Sequence, residues 1–95
     1  MGRRVETGRL VRREERPTTD LDGDLVFLDA DGGEYQVLRG TARWIWELLE
    51  RPRTLEEICA TVEAEYEVPP ETCREQLVPF LEELVELELV EVRAE

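Results

Sequence analysis

Ninety-five residues, 41% of them apolar and strongly periodic, make one domain with one modest core. Twelve Arg and no Lys stand against twenty-four Asp and Glu, a net charge of −12 that disfavours nucleic acid and anionic membrane and favours a neutral or basic ligand. No stretch approaches the roughly 20 apolar residues of a membrane span. No apolar run follows the charged N-terminus, so a secretory signal is not indicated and a cytoplasmic protein is expected.

The first eight residues are expected to form a flexible N-terminal arm, with a single domain over 9–95. Arg9-Leu10-Val11-Arg12 is a short apolar kernel that reads as a first strand, broken by Pro17-Thr18-Thr19-Asp20. The Asp22-Gly23 turn signal precedes Asp24-Leu25-Val26-Phe27-Leu28-Asp29. That run is apolar on both faces, as in a strand covered on both sides. Asp31-Gly32-Gly33 supplies the positive φ of a hairpin turn. A third strand follows, Glu34-Tyr35-Gln36-Val37-Leu38, with Tyr35 and Val37 on one face and Gln36 and Leu38 on the other.

From Gly40 the period becomes helical. Gly40 or Thr41 is expected to cap a helix running to about Glu50, with Ile45, Leu48 and Leu49 on its apolar stripe. Trp44 and Trp46 lie on opposite edges of that stripe, so one of them is expected to be only partly buried. Arg51-Pro52 ends the helix. Thr54 and Glu57 form a capping box for the next one. There Leu55, Ile58, Cys59, Val62 and Tyr66 fall at offsets 0, 3, 4, 7 and 11. Val68-Pro69-Pro70 breaks the pattern.

In the last helix Cys73, Leu77, Phe80, Leu81 and Leu84 form the core stripe, and Arg74, Val78, Leu81 and Val85 form a second, narrower row beside it. Pro79 interrupts this helix and should bend it or delay its regular start. Leu89-Val90-Glu91-Val92-Arg93 is a short extended tail. The fold class expected is α+β and winged-helix-like, a three-stranded antiparallel sheet followed by three helices.

Chemistry-bearing residues are sparse. There is no His, and Glu56-Glu57 and Glu82-Glu83 sit on solvated helix faces, so an enzyme is not expected. Cys59 and Cys73, fourteen residues apart on separate helices, read as reduced core thiols; without His a zinc site is unfavourable, and neither metal nor other cofactor is expected. A winged-helix regulator of nucleic acid is the alternative from another class. Its recognition helix over 70–88 would carry six Glu against one Arg, which phosphates repel.

Peptide binding rests on two features. If the strands pair in order, residues 34–38 form an exposed edge, a liability unless covered. The row Val78, Leu81, Val85 is more apolar than a solvated face. An edge beside an apolar row is the geometry for strand addition, in which main-chain bonds give affinity and pockets give specificity. Burial of both rows by the C-terminal tail explains the same residues, and on physical grounds the two readings stand even.

The chain also resembles the PqqD-like family, the leader-recognition domains of pathways for ribosomally made, post-translationally modified peptides. The similarity runs from about Asp22 to Val90. It is carried by Leu21-Asp22-Gly23, Gly33 through Leu38, Ala42 with Ile45-Trp46-Glu47-Leu48-Leu49, Arg53 through Ile58, Phe80-Leu81-Glu82-Glu83-Leu84 and Leu89-Val90. Arg39, Arg51-Pro52 and Glu88 depart from the family pattern at caps and turns.

The resemblance implies a monomer that binds a precursor's leader antiparallel to the third strand, with leader side chains against the third helix. The implied site is Glu34, Tyr35, Gln36, Val37, Leu38, Arg74, Leu77, Val78, Leu81 and Val85. The chain ends soon after the domain and so is expected to be a stand-alone member. It is most similar to the leader-binding proteins of split lasso-peptide systems, whose partners are a separate leader peptidase of the cysteine-protease type and a cyclase. A peptide chaperone for a radical SAM enzyme in quinone cofactor synthesis is the close alternative. A precursor with a Tyr-x-x-Pro leader would favour the lasso pathway.

Overall fold

The computed structural model describes residues 4–13, 18–28 and 35–94. The hairpin turn at Asp31-Gly32-Gly33 and Glu34 lie outside them. The described residues form six strands and three α-helices: β1 (Arg9–Arg12), β2 (Thr18–Leu21), β3 (Asp24–Leu28), β4 (Tyr35–Leu38), α1 (Gly40–Leu48), β5 (Arg53–Thr54), α2 (Leu55–Tyr66), α3 (Pro70–Glu86) and β6 (Val90–Arg93).

The strands form two antiparallel sheets, ordered β5-β1-β6 and β2-β3-β4. A three-stranded antiparallel sheet with three helices is therefore present, and the α+β class stands. The strand assignment needs two corrections. Thr18–Leu21, expected to break the chain, is itself a strand that pairs with β3 through the tight Asp22-Gly23 turn. The first expected strand, β1, joins the other sheet, where the C-terminal tail β6 pairs along its full length from Arg9↔Arg93 to Arg12↔Val90. Four exposed residues in β2 gave no apolar alternation to read, and β1 is held by segments more than forty residues away.

Burial also corrects the N-terminal arm. Residues 4–6 form a short 3-10 turn, and Val5 is fully buried. Its N–H donates to Glu82 of α3 at 3.2 Å. Gly8 then lets β1 approach β6: a Cβ there would collide with the Arg93 carbonyl oxygen and press on Val92 Cγ1. Gly8→Ala is expected to pry the two strands apart and cost about 1–3 kcal/mol, as overpacking against fixed backbone does. A denaturant titration measures it.

Trp46 joins the two sheets. Its ring meets Phe27 of β3 edge-to-face at 5.1 Å, and the Arg12 guanidinium of β1 lies 4.5 Å from its centroid. Trp46 is buried and Trp44 half-buried, as the stripe edges predicted. At the start of α1, Gly40 takes φ +52, a left-handed value that carries the chain sharply out of β4. The cap residue is Arg39 rather than Gly40 or Thr41, and no side chain caps this helix. Arg43 of α1 instead reaches back, donating to the Gly23 carbonyl at 2.6 Å and pairing with Asp20 at 2.6 Å.

The Thr54–Glu57 capping box is formed in both directions, at 2.8 and 3.2 Å. α2 ends on Glu67 in the left-handed conformation, ahead of the two prolines. α3 continues through Pro79, which is solvent-exposed. The core gathers Phe27, Leu49, Leu55, Ile58, Leu81, Leu84 and Leu89, all at most 2% exposed.

Candidate functional site

Among the described residues β4 pairs on one side only, with β3, so its other side presents unpaired main-chain groups. The register runs Leu28↔Tyr35, Phe27↔Gln36, Val26↔Val37 and Leu25↔Leu38. Directly opposed residues share a face. Gln36 and Leu38 therefore lie with Phe27 and Leu25 on the core side, and Val37 lies with Val26 on the other. Leu38 is 7% exposed and belongs to the core cluster, so its side chain serves the fold. Gln36 and Val37 are half-buried. Past the end of β4, Arg39 pairs with Asp24 at 2.8 Å and ties the edge to its neighbour.

The helical half of the expected site divides differently. Val78 and Leu81 are 4% and 0% exposed, not on an open row. The N-terminal turn covers this side of α3. Arg74 pairs with Glu6 at 2.7 Å and approaches Glu56 at 3.7 Å, while Val5 packs into the core beside Glu82. Val85 turns toward β6, sharing a shallow depression with Val90 and Val92. The row expected to face a ligand is thus covered by the protein's own termini. Helical periodicity gave its spacing but could not show what lay against it.

Leu77 lies on the adjoining stripe of α3, one turn before Leu81. There Cys73, Leu77 and Phe80 close one wall of a cleft of about 370 Å³, with Ile45 of α1 and Val62 and Tyr66 of α2 on the others. Its rim includes Thr41 and Ala42, in the first turn after β4, so cleft and edge are consecutive in the chain. Among the described residues no charged one lines it. On a chain of net charge −12, that suits apolar side chains of a ligand. Trp44 and the 45%-exposed Tyr66 meet edge-to-face at 5.3 Å nearby. Helical spacing placed Tyr66 on the apolar stripe of α2, and the structure leaves it exposed at this cleft.

The two cysteines, expected to fill the core separately, converge. Both are free and buried, and the Cys73 thiol approaches the Cys59 carbonyl oxygen at 3.9 Å. Burial, and then the neighbouring Cys73, push the Cys59 thiol up to about 12; burial raises Cys73 as well. Neither is a ready nucleophile near neutral pH. No helix among the described residues is long and apolar enough to cross a membrane.

A model of the family described as coenzyme PQQ synthesis protein D (PqqD) matches residues 24–90. No curated protein matches the chain. Among solved structures, TbiB1 in complex with the TbiA(beta) leader peptide is similar, with 32% identity and a TM-score of 0.71 over 90% of this chain and 99% of that one.

Proposed function

The chain belongs to the PqqD family, and from that premise we propose that it is a non-catalytic domain that binds the leader of a ribosomally made precursor peptide by strand addition. The free edge of β4 carries this reading. A leader strand there would bond to the main chain along Tyr35–Leu38, with Val37 beside it and apolar side chains entering the cleft at Leu77 and Phe80. The similar structure of TbiB1, which holds a leader peptide, supports the same occupant. With buried, protonated thiols and no His, the chain offers binding rather than chemistry.

The pathway we propose is lasso-peptide biosynthesis, in which the bound leader is delivered to a separate cysteine leader peptidase and then a cyclase. The protein would bind the leader as a cytoplasmic monomer, with no cofactor in the binding step. The family's description favours a second pathway, quinone cofactor synthesis with a radical SAM enzyme. Side-by-side titration with a Tyr-x-x-Pro lasso leader and a quinone-precursor peptide separates the two, because only the cognate peptide should bind tightly.

Calorimetry with the cognate leader is expected to show binding by this protein alone, at about −8 to −11 kcal/mol, in the sub-micromolar range of a pre-formed site. A chelator should leave that affinity unchanged. Binding that appears only when the peptidase is added would overturn the pre-formed edge and cleft.

A further inference from the structure

The fold brings together three potential ligand atoms, of which only Cys73 also lines the leader cleft. Cys59 and Glu63 stand one turn apart on α2, and Cys73 faces them from α3. The two sulfurs and a Glu63 carboxylate oxygen all lie within 4.8 Å of one another. Three donors around one ion, with metal–sulfur bonds of about 2.3 Å and metal–oxygen bonds of about 2.0 Å, stand roughly 3.5–4 Å apart. Small side-chain rotations therefore bring these atoms to one centre. A disulfide would need the sulfurs at about 2.05 Å and would leave the carboxylate without a role.

We propose that Cys59, Glu63 and Cys73 form a site for one thiophilic divalent cation of the zinc class. Two thiolates select soft or borderline ions over magnesium and calcium. Binding replaces two S–H bonds by two metal–sulfur bonds and releases two protons to solvent. Glu63 supplies the third ligand, and water fills the fourth position. The cation has a way in: Glu63 is half-buried at the surface, and Cys73 lines the open cleft. Once bound, the ion links α2 to α3.

The test uses the full chain, reduced with a phosphine and freed of metal, titrated with cobalt(II). Thiolate-to-cobalt charge-transfer bands in the near ultraviolet should grow to saturation at one equivalent, together with intense visible bands of a tetrahedral ion. Zinc should then bleach them. Cys59→Ser and Cys73→Ser should each weaken cobalt binding at least 100-fold. Glu63→Gln, at a half-buried position that cannot disturb the core, should weaken it about tenfold and keep both native circular dichroism and a thiolate band.

Absence of a charge-transfer band in the reduced chain would overturn the site. So would a band that persists undiminished in Cys59→Ser, or an affinity unaffected by Glu63→Gln. A loss of two mass units in non-reducing buffer with no cobalt band under reduction would make the pair a disulfide instead. No leader peptide enters the titration, so its outcome is independent of the strand-addition reading.

Discussion

Gln36→Pro and Val37→Pro are expected to fail in opposite ways, one by unfolding and the other by losing the leader. In an antiparallel strand successive residues point their N–H groups to alternate sides. In β4 one side is β3, paired from Tyr35 to Leu38, and the other is the open edge. Proline deletes one N–H and fixes φ near about −65°, which an edge strand accepts only where that N–H points outward. At the inward position the substitution removes a ladder bond beside Phe27 and Val26, both buried, and the melting temperature should collapse. At the outward position the fold should survive with a melting temperature within a few degrees of the parent. Leader affinity should then fall at least 100-fold, because a main-chain donor is gone from the lane the leader occupies. Thermal melts and calorimetry on the two variants decide the matter. Two unfolded proteins would mean that β4 is internal, and two intact binders would mean that the leader docks elsewhere.

Val78→Glu is expected to unfold the protein rather than weaken a binding surface. Val78 is 4% exposed, on the side of α3 that lies beneath the N-terminal turn. A carboxylate placed there is buried one turn before Glu82 and one turn after Arg74, whose guanidinium is already engaged with Glu6 and Glu56. An uncompensated buried charge costs about 3–5 kcal/mol, a large part of the stability of a domain this small. Its carboxyl would ionise less readily folded than unfolded. The penalty therefore grows as pH rises above the ordinary carboxylate range and eases toward about pH 4. Arg74→Ala is the control on the same row. Its ion pairs with Glu6 and Glu56 are partly exposed, so the loss should stay within about 1 kcal/mol. Urea titrations at two pH values test both variants. A Val78→Glu protein as stable as the parent would mean that the turn does not cover α3.

The boundaries of the three helices were legible because local chemistry sets them. Thr54 and Glu57 satisfy each other's main-chain groups within a single turn, Pro52 and Pro69 interrupt the chain between helices, and Pro70 opens α3 at its first position. The β3–β4 pairing was legible for the same reason, since alternation and a Gly-rich turn lie within fifteen residues. The candidate edge at β4 followed from that hairpin. β2 was missed because Thr18-Thr19-Asp20-Leu21 has four exposed side chains, and pairing with β3 rather than apolar patterning makes it a strand.

By itself, then, the sequence determined the α+β class, the order of its helices, the net charge of −12 and the family resemblance. Each depends on composition or on contacts short in sequence. Only the tertiary structure decided that Val5 and β6 cover the Val78–Leu81 side of α3, that the open cleft lies on the Leu77–Phe80 side, and that Cys59, Glu63 and Cys73 meet. Periodicity says which residues share a helix face, but not which of two apolar faces is covered. That depends on where segments seventy residues away come to rest, as Val5 does on Glu82.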